Sequence, residues 1–331
     1  MAVEKIVENI YRIGVPLPGN PLKELNSYLI HDGAHSLLID TGFPLDECRA
    51  ALFGGLAELG VAPESVDIFL THLHNDHTGL APEIIGPGRT IYMGAVDRGL
   101  TERVELSDAP WEERTAYFRR AGFPEETLRQ IRTTDPAMRY VPRAGCRQYV
   151  TVEDGHVFER GGYRFRCIMT PGHTPGHMCL WEEDRGILFT GDHVLFDITP
   201  NITSWDEMED ALGSYLASLE MVRKLPVKLA LPSHRKTGDF AARVDELMAH
   251  HRARLAETER IVGTTRGKTA YEIAALMTWS IRAKNWDDFP DAQKYFAVGE
   301  CIAHLDYLIK GGRLRCEERD GRLYYDPVDP V

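Results

Sequence analysis

Short apolar runs recur through the first 90 residues and again after His156, and most of them stop at a polar turn. Asn26–Ile30 and Ser36–Ile39 flank His31-Asp32-Gly33-Ala34-His35, a polar stretch with a glycine, which predicts a hairpin. Leu45–Leu59 carries apolar residues at helical spacing, and Gly60 stops it. Val66–Leu70 is a β-rich run that feeds directly into Thr71-His72-Leu73-His74-Asn75-Asp76-His77-Thr78-Gly79. Beyond His156 the strands expected are Tyr163–Met169, Met178–Trp181 and Gly186–Thr190. A helix over Tyr215–Lys224 and a strand over Val227–Leu231, ending at Pro232-Ser233-His234, follow. Units of strand plus polar loop in both halves predict two similar half-structures facing each other, and the lack of a short-period repeat excludes a solenoid.

Two segments break this pattern. From about residue 95 to 147 the chain is rich in Arg, Glu and Pro, with helical stretches over Trp111–Arg120 and Glu125–Ile131. Between Ala95 and Val150 ten basic residues face nine acidic ones, so this stretch is near neutral in an acidic chain. It reads as a helical insertion, placed over a site or serving as peripheral decoration. Phe240–Ile261 predicts a charged amphipathic helix, and Gly263-Thr264-Thr265-Arg266-Gly267 a linker. Helices over Thr269–Ile281 and Gln293–Ile309, then a hairpin from Arg313–Cys316 and Leu323–Asp326, make a small α+β tail. The expected division is a domain of residues 1–262 and a second of residues 263–331.

Composition narrows the class. The 331 residues are 43% hydrophobic and 27% charged, an ordinary globular balance with room for a large core. No apolar stretch reaches the length of a membrane span, and MAVEKIVENIYRIG lacks a signal-peptide profile, so a cytoplasmic protein with no membrane partner is expected. Six scattered cysteines without a CxxC pair read as reduced, Cys167 and Cys179 as core. The net charge of −12 repels polyanions and disfavours a nucleic-acid partner.

The chemistry lies where the apolar runs end. In extended backbone, residues i and i+2 point the same way, so His72 and His74 can grip one cation from one side. Asp76 and His77 follow where the chain turns toward a helix and can address a neighbouring cation. His173, in Pro171-Gly172-His173-Thr174-Pro175-Gly176-His177, would complete the first set, and His234 the second. Asp192, in Thr190-Gly191-Asp192-His193, has two oxygens and suits a bridging role. Two cations held roughly 3.5–4 Å apart can clamp both attacking and leaving oxygens, and a water between them loses its proton readily. A hydroxide is then the nucleophile, and no catalytic Ser or Cys is needed.

This order of motifs resembles the metallo-β-lactamase superfamily over about Asn26 to Arg235. The resemblance implies an α/β architecture: an αββα sandwich with a dinuclear site along one edge of its sheets, here with a helical insertion. It also implies two divalent ions, usually zinc, with iron and manganese as the family's other choices. Leu38-Ile39-Asp40-Thr41-Gly42 matches an early strand motif whose Asp supports the metal ligands, which gives Asp40 that role. The chain departs from several branches. His74 stands where the oxygen-reducing di-iron branch has Glu. The seven residues Pro171–His177 resemble glyoxalase II-like thioesterases, but their Gly-Cys-Gly-Arg stretch after the bridging Asp is replaced by His193-Val194-Leu195-Phe196. The segment after Gly267 resembles the winged-helix tail of some members, including ribonuclease-like ones. Its ten basic and eleven acidic residues from Thr264 onward point to packing, dimerisation or substrate shaping instead of DNA binding.

The expected function is hydrolysis of a small carbonyl ester, thioester or lactone, with Asp76 orienting the nucleophile. A phosphodiesterase such as an endoribonuclease, and a non-catalytic sensor that keeps the site, are the alternatives. His177 is expected beside the site, hydrogen-bonded behind the ligands. His193, Trp111 and Tyr117 are candidates for the substrate pocket. The partner is a small-molecule substrate, and a homodimer through the exposed tail is compatible with the sequence.

Overall fold

Strands β4 (Ser36–Ile39) and β5 (Asp67–Leu70) are buried along their whole length in the computed structural model, which describes residues 3–33, 35–134, 148–280 and 283–328. Such strands are covered on both faces, and their side chains alternate between two apolar clusters. Leu37, Ile39 and Phe69 pack on one side, and Leu38, Ile68 and Leu70 on the other. They lie in a seven-stranded sheet ordered β1 to β7: Val3–Val7, Ile10–Pro16, Glu24–His31, β4, β5, Ile91–Gly94 and Tyr149–Val152. The predicted hairpin is the antiparallel β3–β4 pair, while β5, β6 and β7 run parallel to β4.

The second sheet has the order β12-β11-β10-β9-β8, from Val157–Arg160 (β8), Tyr163–Met169 (β9), Met178–Glu182 (β10), Ile187–Gly191 (β11) and Leu229–Pro232 (β12). Phe165, Leu180 and Phe189 face the first sheet and form the central layer with Tyr28, Ile39 and Phe69. Outside the first sheet, the Asp46–Glu58 helix inserts Cys48, Leu52 and Leu56. Outside the second, Cys179, Trp181 and Leu188 meet the Ala211–Val222 and Phe240–Thr265 helices. The result is the αββα sandwich with a helical insertion and a small C-terminal α+β extension.

The insertion supplies helices Ala95–Leu106, Ala109–Arg120 and Glu125–Thr134, the first of them absent from the sequence expectation. Its remainder, 135–147, lies outside the described residues, as does Cys146. Phe118, Leu128 and Ile131 of the insertion share the outer core with Val298, Ile302 and Leu305 of the C-terminal Asp291–Lys310 helix. A hairpin of β13 (Leu314–Arg319) and β14 (Arg322–Pro327) closes the extension.

Three of the boundaries differ from expectation through capping or docking that the periodicity does not carry. The linker predicted from Gly263 is helix as far as Thr265, because buried Ile261 and Val262 dock the last turn. Gly267, at a φ of 64°, then donates its N–H to the Tyr325 carbonyl of β14. Of the helix predicted over Thr269–Ile281, whose last residue lies outside the described residues, the described part is a single turn, Ala270–Ala274, started by a Thr269–Glu272 capping box. The Trp279 indole N–H bonds the Ala274 carbonyl at its end, 2.8 Å away. The helix predicted from Tyr215 begins at Ala211, because Asp210 caps it by accepting from the Gly213 N–H.

Candidate metal centre

Four polar loops leave the same edge of the two sheets. His72 follows β5, His173 follows β9, Asp192 follows β11 and His234 follows β12. Asp76 and His77 sit on the short Asn75–Thr78 helix. These loops bring the donors into three overlapping groups: His72, His74 and His173; His72, His77 and Asp192; and Asp76, His77 and His234. Asp192 stands between the outer groups, its Oδ2 3.6 Å from His173 Nε2 and its Oδ1 3.5 Å from His234 Nε2. His77 Nε2 is 3.7 Å from both Asp76 and Asp192. All of these side chains are buried except His74, which is partly exposed.

Hydrogen bonding fixes which nitrogen of each ring faces inward. A carbonyl only accepts, so His173 Nδ1 donates to the Asn201 carbonyl and His234 Nδ1 to the Glu24 carbonyl, both at 2.8 Å. His77 Nδ1 donates to Asp40 at 2.8 Å. The Thr71 hydroxyl gives its proton to Asp40, so it accepts from His72 Nδ1. Four Nε2 lone pairs therefore turn inward, joined by Nδ1 of His74, which is 3.0 Å from His72 Nε2 and 3.1 Å from His173 Nε2. Nε2 of His77, Nε2 of His234 and Oδ1 of Asp192 are buried without a hydrogen-bond partner. Buried polar atoms that converge without hydrogen-bond partners are costly unless a cation satisfies them. The donor set thus fits two nearby divalent ions.

Behind the donors stands a layer of polar supports. Asp40, fully buried, accepts from the Thr71 N–H and hydroxyl, His77 Nδ1 and the Ser233 hydroxyl. Asp97 was not singled out by sequence, because a lone Asp in the first turn of a helix carries no motif. Its carboxylate accepts from the Leu73 N–H, the Thr174 hydroxyl and the Gly176 N–H, so it ties a ligand loop of one sheet to a ligand loop of the other. Asn26 is a second such residue; its side-chain amide donates to the carbonyls of Pro232 and Arg235 on either side of His234. Gly191 has a φ of 52°, and a Cβ there would fall 2.5 Å from His177 Nε2. Only glycine lets that imidazole reach the Asp192 backbone N–H, at 3.2 Å.

Residues 23–234 match the family described as "Metallo-beta-lactamase superfamily", a span that includes every donor named above. The chain belongs to the metallo-β-lactamase superfamily. A metallo-β-lactamase family protein of Thermus thermophilus superposes with a TM-score of 0.81 at 30% identity, covering 98% of this chain and all of that one. The "Lactamase-like protein nscB" of Neosartorya fischeri is 30% identical across 95% of this chain and 81% of its own length. An "Atrochrysone carboxyl ACP thioesterase" of Aspergillus fumigatus is 27% identical over 94% of this chain and 63% of its own length. With its donor triads, the chain is a metal-dependent hydrolase of metallo-β-lactamase fold.

Among the other residues singled out by sequence, His177 lies behind Asp192. Its Nε2 accepts the Asp192 N–H and its Nδ1 faces the Thr170 hydroxyl, which leaves no lone pair for a cation. His193 is wholly buried between His177 and Tyr215. Trp111 packs under the Arg132 guanidinium, and Tyr117 packs against the outer core. None of these three joins the donor groups.

The electrostatics of this superfamily site differ between its two halves. Burial and cationic neighbours hold His72 and His173 low, and His74 at about 3. Burial also lowers His77, but Asp40, Asp76 and Asp192 outweigh it and raise that ring well above its ordinary value. His234 is raised against its burial by Asp192 and Asp76. The first triad is therefore already neutral near pH 7, whereas a cation entering the second displaces protons. As pH rises through the raised values, the metal-free protein loses the attraction between His77 and its carboxylates, while cation affinity at the second triad increases. Calorimetric titration of the apoprotein in buffers of different protonation enthalpy will show proton release for one ion and little for the other. On acidification the proton-releasing ion leaves first, and simultaneous loss of both contradicts this assignment.

Proposed function

We propose that this metallo-β-lactamase-fold protein hydrolyses acyl substrates, with thioesters as its main class and small esters and lactones as related ones. One observation carries the reading: two donor triads with Asp192 offering one oxygen to each. When bound, two divalent ions supply Lewis acidity toward the substrate carbonyl and acidify the attacking water. The imidazole-rich donor set favours zinc. Asp76 is drawn to about 2 because His77 and His234 overcome its burial, so it stays a carboxylate and can accept a hydrogen bond from the attacking water. Burial pushes the Cys167 and Cys179 thiols up to about 12, which disfavours a cysteine nucleophile at those positions.

The thioester class is supported by the named activity of the Aspergillus fumigatus relative and by the glyoxalase II-like Pro171–His177 motif. The helix-then-hairpin order of the tail supports placement in a winged-helix-tailed branch. The test is a panel of acyl thioesters, esters, lactones and phosphodiesters, run with metal-free and zinc-loaded protein. We expect thioester hydrolysis that disappears on chelation and returns with zinc. Phosphodiester cleavage without acyl cleavage, or full acyl activity in verified metal-free protein, overturns the reading.

A further inference from the structure

Solvent reaches the donor cluster past His74, the only partly exposed member of the triads. Beside that ring lies Trp205, its centroid 6.3 Å away and its plane tilted by 29°. Its indole N–H is already engaged, donating to the His173 carbonyl at 3.2 Å. What the half-buried ring can still offer an incoming molecule is therefore carbon surface.

The ring is also held firmly. Arg114 of the insertion donates to the Ser204 carbonyl and the Thr203 hydroxyl just before it, and to the Tyr295 hydroxyl of the C-terminal helix. Asn201 donates its side-chain amide to the Phe296 carbonyl of that helix. Gly299 lets helix and loop meet, since a Cβ there would fall 2.4 Å from Thr203 Oγ1. A rigid aromatic wall binds apolar groups with little ordering cost.

Building on the acyl-hydrolase reading, we propose that Trp205 is the wall against which the substrate's acyl group lies, so that the enzyme selects aromatic or long apolar acyl parts over acetyl. The insertion and the C-terminal helix set this preference by fixing the loop.

The test compares wild type, Trp205→Phe and Trp205→Ala on acetyl, octanoyl and phenylbutyryl thioesters of N-acetylcysteamine. Metal content and thermal midpoint are measured alongside. For Trp205→Ala we expect kcat/KM for the two large acyl groups to fall relative to that for acetyl by about tenfold or more, mostly in KM. Trp205→Phe keeps the preference. A second arm needs no turnover: calorimetry of 4-phenylbutyrate and acetate binding to the zinc-loaded proteins, where tight aryl binding is lost only in Trp205→Ala. A uniform fall in kcat for all acyl groups together with metal loss would make Trp205 only a support for His74 and His173, and overturns the proposal. So does an unchanged acyl preference, or wild-type binding of phenylbutyrate no tighter than acetate. Wild-type failure on every thioester, with phenylbutyrate still bound through Trp205, overturns the thioester reading and leaves Trp205 as a wall for apolar groups beside the donors.

Discussion

Replacing Asp192 with alanine will lower hydrolysis of the proposed acyl substrates by at least about a thousandfold and reduce bound metal from two ions to one or none. Asp192 is the only donor with an oxygen toward each outer triad, at 3.6 Å from His173 and 3.5 Å from His234. Without it, neither ion keeps a full donor set. The transition-state stabilisation that such ions give is several kcal/mol, and each ~1.4 kcal/mol is worth about tenfold in rate. The fold should survive, because the Asp192 backbone N–H still bonds His177 and β11 is paired on both sides. Elemental analysis and single-turnover rates check this, and a variant with two tightly bound ions and normal rate would refute the bridging role.

The second large effect concerns stability. Asp40→Asn will destabilise the protein by about 3–5 kcal/mol, the usual cost of breaking a buried charged pair. The substitution keeps the side chain's size, so no cavity opens. It also keeps the backbone preference, because Asp40 has a φ of 59° and asparagine tolerates that left-handed region well. What changes is hydrogen bonding. Four donors converge on the carboxylate, and an amide would aim its own N–H groups at one of them. Denaturant melts of the metal-free proteins measure the difference. A shift below about 1 kcal/mol would show that Thr71, His77 and Ser233 find other acceptors, in which case the Asp40 network does not anchor the site.

Much of the sandwich was legible because its strands are short apolar runs, and because the polar donors begin where those runs stop. Leu37 to Ile39 and Ile68 to Leu70 are apolar throughout in the sequence, and which of these residues faces which layer is seen only in the folded chain. The supports were harder to read. Asn201 holds His173 through a backbone carbonyl, which every residue possesses, so no side-chain signal exists. Asp97 acts through three contacts to residues 24, 77 and 79 positions away, information that only the folded chain contains. Trp205 lies in a loop with no periodicity. The Gly263 linker was misread for a related reason: Gly263 has open space around it, and the helix survives there because Ile261 and Val262 are buried against partners from elsewhere.

The sharing of one outer apolar layer by the insertion and the C-terminal helix bears on how the chain matures. During synthesis the strands of both sandwich sheets and every cation donor leave the ribosome before Asp291–Lys310 does. Until that helix arrives, Phe118, Leu128 and Ile131 lack their covering, and Asn201 lacks the Phe296 carbonyl that steadies it. Nascent chains would therefore carry a loosely assembled cradle, and tight capture of cations would be among the last events of biogenesis.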